Sequence, residues 1–231
     1  MTSLRKVAIV AGSLYLVTHV TSIAGLLLYG PVLHNPEYVL GGGADSRIIL
    51  GAFLEIILAM ANIGTAVTLF PVTKKQNESI SLGYVGLRTL EAAIICVGVV
   101  ALLTVVTLRQ QHAATPSADP ASVVSVGRAL VAVHDWTFLV GPNSVLGINT
   151  ILMAYLMYRS ELVPRWIGAL GLIGGTLIFL SSIAELFGFY KQVSVVGSLT
   201  AVPVFAWELS LAFWLIIKGF RPAALQRLAI A

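Results

Sequence analysis

The sequence predicts an all-α polytopic membrane protein, a bundle of six transmembrane helices with both termini cytoplasmic, and three observations carry that prediction. Of 231 residues, 58% are hydrophobic and only 10% are charged, which lies outside the balance that soluble domains keep. Six apolar runs match the roughly 20 helical residues needed to cross a hydrocarbon core about 30 Å thick. The basic residues flank those runs, with nine Lys/Arg on one side of the expected bundle and four on the other. Residues 1–231 read as a single integral membrane domain.

The runs fall near Val7 to Tyr29, Ile48 to Pro71, Ile80 to Leu108, Pro142 to Tyr158, Pro164 to Phe187 and Gly197 to Lys218. Lipid offers the backbone no hydrogen-bond partner, so runs of this length are helices. The first follows Arg5 and Lys6 as a signal peptide would, but it is too long for an h-region and has no clear small-residue cleavage site. It is expected to stay as a helix. In the second, Glu55 and Asn62 share a stripe with Gly51, Ala59 and Ala66, a small-residue face that turns inward. The fourth belongs to a longer segment, Ala121 to Tyr158, that overshoots one leaflet as a straight helix. Gly141-Pro142 supplies a kink or break, because proline removes a backbone donor and crowds the preceding turn, and an outer-leaflet or re-entrant helix is expected to feed the fourth span. The fifth carries Gly168, Gly171, Gly174 and Gly175, read as packing positions inside the bundle. The loops Gly30 to Arg47 and Arg109 to Pro120 show no fold of their own. Gly41-Gly42-Gly43 lacks the strand and Lys-Ser/Thr ending of a P-loop and reads as a flexible turn.

Orientation follows from charge. Arg5, Lys6, Lys74, Lys75, Arg159, Arg165, Lys218, Arg221 and Arg227 lie on the side of the termini, against Arg47, Arg109, Arg128 and Lys191 opposite. The positive-inside rule places the richer side in the cytoplasm, with Tyr155, Tyr158, Trp166 and Trp214 at the inner interface. The net charge of +4 is scattered and not interleaved with aromatics, which argues against nucleic acid. Cys96 is the single cysteine, so an intrachain disulfide and a Cys-based metal knuckle are excluded. The long fourth segment has no counterpart in the first half, which counts against an inverted-repeat transporter.

Four charged side chains lie deep inside apolar runs: Glu55, Arg88, Glu91 and Glu208. A charge at mid-bilayer costs about 2.5 to 3.5 kcal/mol on insertion scales, so such residues mark pairing, ligand binding or proton movement. Arg88 and Glu91, three apart, share a helix face with Tyr84 and Ile95. If the spans converge, three carboxylates face one guanidinium, and a desolvated pocket cannot hold every acid ionised. Either protons or a cation must occupy it. Glu208, about 16 Å along its span at the helical rise and on a different helix from Arg88, is the expected proton carrier. Asp135 joins the set, and His134 beside it stands at the outer entrance. His19 shares a face with Gly12, Tyr15 and Ser22 and reads as hydrogen-bonded core. No metal site is expected, since no Glu-x-x-His or His-x-x-x-His pair occurs, and no cofactor. Ser181 and Ser182 lack a nucleophile-elbow context.

Several stretches resemble the bacterial multi-pass membrane proteins of domain-of-unknown-function family 4386. They are Leu54-Glu55, Gly83 to Arg88 with Glu91, His134-Asp135-Trp136, Tyr158 to Trp166, and Pro203 to Phe220 with Trp207-Glu208-Leu209 and Lys218-Gly219-Phe220. The resemblance implies a bacterial cytoplasmic (inner) membrane protein and brings no catalytic residues with it. The residues themselves favour an acid-rich intramembrane site for a small molecule or cation, with proton-coupled transport as its extension and the lipid bilayer as surroundings. A structural or accessory subunit with a paired polar core is the first rival, and an intramembrane lipid-modifying enzyme the second. The enzyme would need a cavity open to the bilayer, with water or metal beside a carboxylate.

Overall fold

The computed structural model describes residues 3–41, 43–115, 119–192 and 194–230. Gly42 of the triple-glycine run and residues 116–118 of the Arg109 to Pro120 loop lie outside the described residues. No strand occurs among those described, and six helices are long and apolar enough to cross a membrane.

Helix α1 spans Ser3–Leu28 and leads into a one-turn α2, Gly30–Leu33. The next two spans are α3, Asp45–Thr73, and α4, Glu78–Ala114. The fourth is α5, Pro120–Phe138, continued through a π-helical turn over Leu139–Val145 into α6, Leu146–Ser160. Helices α7, Arg165–Leu186, and α8, Val195–Ile217, complete the spans, and a terminal α9 covers Pro222–Ile230. Side-chain caps start several of them. Asn77 accepts from the Ile80 amide (3.0 Å), and Asp119 accepts from Ala121 and Ser122 ahead of α5, each satisfying otherwise orphaned N–H groups.

Three expectations need correction. The expected distortion at Gly141-Pro142 takes the form of the π-helical turn over Leu139–Val145, but the helix ahead of it is continuous with the fourth span and does not re-enter separately. The chain runs as one helical segment of 41 residues, about 60 Å at the helical rise, and the π turn absorbs the proline. Ser144 Oγ donates to the Leu139 carbonyl there (3.0 Å). Second, α4 continues past Leu108 to Ala114, because Gln110 and Gln111 are good helix formers even though they end the apolar run. Third, the described residues of the Gly30 to Arg47 loop are structured. They include α2 and a 3₁₀ turn at Tyr38–Leu40, and Tyr29, Val32, Tyr38 and Val39 pack with Leu102, Val105, Val106 and Val123. Arg109 pairs with Asp45 beneath this cap, and Asp45 also accepts from Tyr38 Oη (2.7 Å).

The spans close into a ring: α1 packs on α3 and α8, α3 on α4, α4 on α5 and α6, α6 on α7, and α7 on α8. Gly147 and Gly175 let α6 and α7 meet backbone to backbone, since a Cβ on either would stand within 2.9 Å of the other's carbonyl oxygen. Arg5 donates to the carbonyls of Leu215 (3.1 Å), Ile216 (2.6 Å) and Ile217 (3.2 Å), the unpaired acceptors at a helix end. That contact brings the start of α1 to the end of α8, so both termini lie on one face. On this side the core is densely apolar, with Tyr15, Leu69, Met153, Met157, Trp207 and Leu211 all fully buried. The motif from Tyr158 to Trp166 is the α6–α7 connection. Leu162 and Val163 are fully buried in it, the Leu162 carbonyl accepts from the Arg221 amide, and Glu161 pairs with Arg165 (2.6 Å) and Arg227 (2.8 Å). The outer surface carries large apolar side chains such as Val20, Leu27, Met60 and Val100, each more than 60% exposed, as a lipid-facing surface requires.

Candidate functional site

Helix α4 sets the centre. Arg88 projects into the ring one turn from both Tyr84 and Glu91, and the guanidinium is almost wholly buried. Its Nε donates to Tyr84 Oη (3.2 Å), and its Nη1 to Asn62 Oδ1 on α3 (3.1 Å) and Glu91 Oε2 (3.2 Å). Nη2 donates to Glu208 Oε1 on α8 (2.5 Å). The Tyr15 and Tyr84 hydroxyls are 2.7 Å apart, and their rings face the guanidinium with centroids 5.6 and 5.8 Å away. Glu91 also accepts from Asn62 Nδ2 (3.1 Å) and from Asn149 Nδ2 on α6 (2.7 Å). One charged cluster thereby ties α3, α4, α6 and α8 together.

Glu208, the expected proton carrier, makes the shortest of Arg88's contacts and is thus paired with the arginine. Its other oxygen stands 3.8 Å from His19 Nε2. Glu55 is the acid without a cationic hydrogen-bond partner. It accepts from Tyr29 Oη (3.1 Å) and lies under the outer cap.

Glu55, Arg88, Glu91 and Glu208 line one cavity of about 210 Å³, to which all six spans contribute. Thr18, His19 and Ser22 supply the α1 wall, and Asn143 a polar point on the π turn. The remaining wall is apolar, including Leu58, Ile95, Phe138 and Ile178. Ile23 of α1 and Phe205 of α8 also line it, and both stand nearly half exposed on the outer surface. The cavity therefore reaches the apolar flank of the bundle between α1 and α8. A wall mostly of hydrocarbon with a few convergent polar groups is the usual make-up of a small-molecule pocket.

His134 and Asp135 separate. His134 is buried, its ring edge-on to Tyr29 at 5.6 Å between centroids. The Asp135 side chain is 60% exposed, with Oδ1 3.3 Å from His134 Nδ1. Asp135 does not line the central cavity. Consecutive helical residues point about 100° apart, so one turns in and the other out.

A second polar cluster escaped the sequence reading. Glu185 on α7 accepts from Ser181 Oγ (2.9 Å) and Asn143 Nδ2 (3.4 Å), while Tyr190 and Thr200 donate to Ser181 Oγ (2.8 and 2.9 Å). The four-residue spacing of Ser181 and Glu185 was the available signal. Asn149 was missed as well, and Tyr15 was placed on the His19 face but not in the site, since neutral polar side chains in an apolar run attract little notice. Among the described residues no three His, Cys, Asp or Glu side chains are grouped as a metal site would need.

The model of a family described as "Domain of unknown function (DUF4386)" matches residues 10–219. A relative from the archaeon Archaeoglobus fulgidus, described as an uncharacterized protein, is 30% identical over 95 residues, which cover 39% of this chain and 54% of the relative. The chain thus spans about half the length of the curated relative it matches. No solved structure matches.

Proposed function

The chain belongs to the DUF4386 family, and on that premise we propose that its central cavity binds a small organic cation with an apolar body, in exchange for protons held on the buried glutamates. The observation that carries the reading is the imbalance of the cavity wall. Three carboxylates meet one guanidinium, and Arg88 is already committed to Glu91 and Glu208. Glu55 is left with only a phenol. An ammonium group beside Glu55 would supply the missing charge, and the apolar wall would take the rest of the molecule. The extension of the cavity to Ile23 and Phe205 suits a ligand arriving from the bilayer. We place the termini in the cytoplasm from the nine-to-four distribution of basic residues, and the protein in a bacterial inner membrane from the family resemblance.

The test is thermal unfolding of the purified protein with phenethylamine, tetraethylammonium and sodium as probes. A bound amine raises stability by about 2.7 kcal/mol at a hundredfold excess over its Kd. Phenethylamine should raise the melting temperature of wild type, and Glu55→Gln should lose the response. No stabilisation by either organic cation would overturn the reading. One observation favours a structural role instead, the four hydrogen bonds that Arg88 makes within the bundle. Under that reading the cluster only locks the bundle, and both proteins ignore the probes.

A further inference from the structure

Resting on that reading, we propose that protons reach the central cavity from the face opposite the termini by one route, Asp135 to His134 to Glu55. Four features of the geometry converge on it. The Asp135 carboxylate is at the molecular surface, and its Oδ1 lies 3.3 Å from His134 Nδ1. His134 itself is buried. Between His134 and Glu55 lies a space of about 10 Å³ that both residues line, together with Gly98, Thr137 and Pro142. That is the lower limit for admitting a single water. Glu55 also lines the central cavity and is the one titratable residue among the four that line both spaces.

The surroundings of His134 leave it free for this task. Tyr29 faces it from the end of α1 and Glu55 from α3, with Asp135 on its own helix. Helix α4 presents only Ile95 and Gly98 to the space. No lysine or arginine lines it. Gly98 keeps the passage narrow but present, since a Cβ there would stand 2.5 Å from Thr137 Oγ1 and 3.4 Å from the imidazole. On the side of the termini the Tyr15 and Tyr84 hydroxyls close on each other beneath Arg88. Tyr15, Tyr84, Met153 and Trp207, none more than 1% exposed, form a packed floor.

The proton balance is simple. Asp135 takes a proton from water and passes it to His134 Nδ1. The imidazolium makes a half-turn that brings Nδ1 to the place of Cδ2 against Gly98, releases the Nδ1 proton through one water to the Glu55 carboxylate and turns back, with Nε2 protonated throughout. Tyr29 Oη, donating to Glu55 Oε2, holds the acceptor in place. His134 and Asp135 are positioning and relay residues here and touch no ligand.

Deuterium exchange of carboxyl groups, followed by infrared spectroscopy in phosphatidylcholine vesicles, tests the route. The Glu55 signal is the carboxyl band that Glu55→Gln removes. His134→Ala should slow exchange of that band on the order of a hundredfold, the usual scale for losing a positioned proton-transfer group. Added imidazole should restore the rate, which a merely structural histidine would not allow. Asp135→Asn, at an exposed position, should slow exchange without changing the melting temperature. If His134→Ala does not fold, His134→Gln replaces it with the same expectation. Wild-type exchange rates in the histidine variants would overturn the route. A missing Glu55 band at every pH would overturn it too. The cavity reading fails separately, when phenethylamine does not stabilise wild type.

Discussion

Replacing Arg88 with alanine removes the donor to Tyr84, Asn62, Glu91 and Glu208 in one step. The two acids do not suffer equally. Glu91 keeps amide donors from Asn62 and Asn149, whereas Glu208 is left with His19 at 3.8 Å. Breaking a buried pair by deleting one partner costs about 3 to 5 kcal/mol, because the other charge stays buried and uncompensated. At roughly 2 to 4 °C per kcal/mol for a chain of this size, Arg88→Ala should lower the melting temperature in detergent by roughly 6 to 20 °C. Lys75→Ala, at an exposed residue on the α3–α4 connection, should lie close to wild type. The asymmetry gives a sharper test. Arg88→Ala combined with Glu208→Gln should recover more of the loss than Arg88→Ala combined with Glu91→Gln, because the first pair removes the charge with the fewest other partners. Equal melting temperatures for Arg88→Ala and Lys75→Ala, or no recovery in the Glu208→Gln double variant, would refute the reasoning.

Gly147→Ala should destabilise by about 1 to 3 kcal/mol through overpacking, since its Cβ would meet the Gly175 carbonyl at 2.9 Å. Gly86→Ala, which meets open space, should raise the melting temperature, and shifts of the same sign would contradict the packing account. Arg227 donates to Glu161 and Arg165 adds its charge, so the Glu161 carboxyl sits below the ordinary glutamate range. Because the folded value is depressed, this contact contributes fully above the unfolded value of about 4.3 and is lost as pH falls through the folded one. Deuterium exchange of the α9 amides, corrected for intrinsic pH dependence, should rise on that descent in wild type and stay flat in Glu161→Gln. Identical profiles would remove the contact from the account of how α9 docks. For orientation, a cysteine at Ser79 in a Cys96→Ser background should resist an impermeant thiol reagent in intact cells, while one at Asn35 should react. The reverse pattern would invert the assignment.

The spans were legible because lipid enforces a simple rule of long apolar stretches with every backbone group satisfied internally. What escaped lies where that rule stops. The cap formed by Tyr29, Val32, Tyr38 and Val39 owes its shape to packing on α4 and α5, which no local pattern announces. Helix α4 outlasts its hydropathy because Gln110 and Gln111 are polar yet helical. In the site, the Arg88–Glu91 pair could be read from its three-residue spacing. The pairing of Arg88 with Glu208, 120 residues away, could not, although each charge had to face inward. Asn149 and Tyr15 carry no charge to betray them, and only the folded ring shows them joining the cluster.

The π turn from Leu139 to Val145 makes the angular setting of the fourth span depend on chain length. Upstream of it, His134 points toward Tyr29 and the space shared with Glu55. Downstream, Asn149 points at Glu91. A π turn advances through a smaller angle per residue than an α-helix, so if the same residues wound as α-helix one half would swing against the other by roughly 100°. The two halves are mounted like discs on one shaft, keyed by the winding of this turn. Loss of the π turn would thus change what faces Glu55 while leaving every residue that now touches it intact.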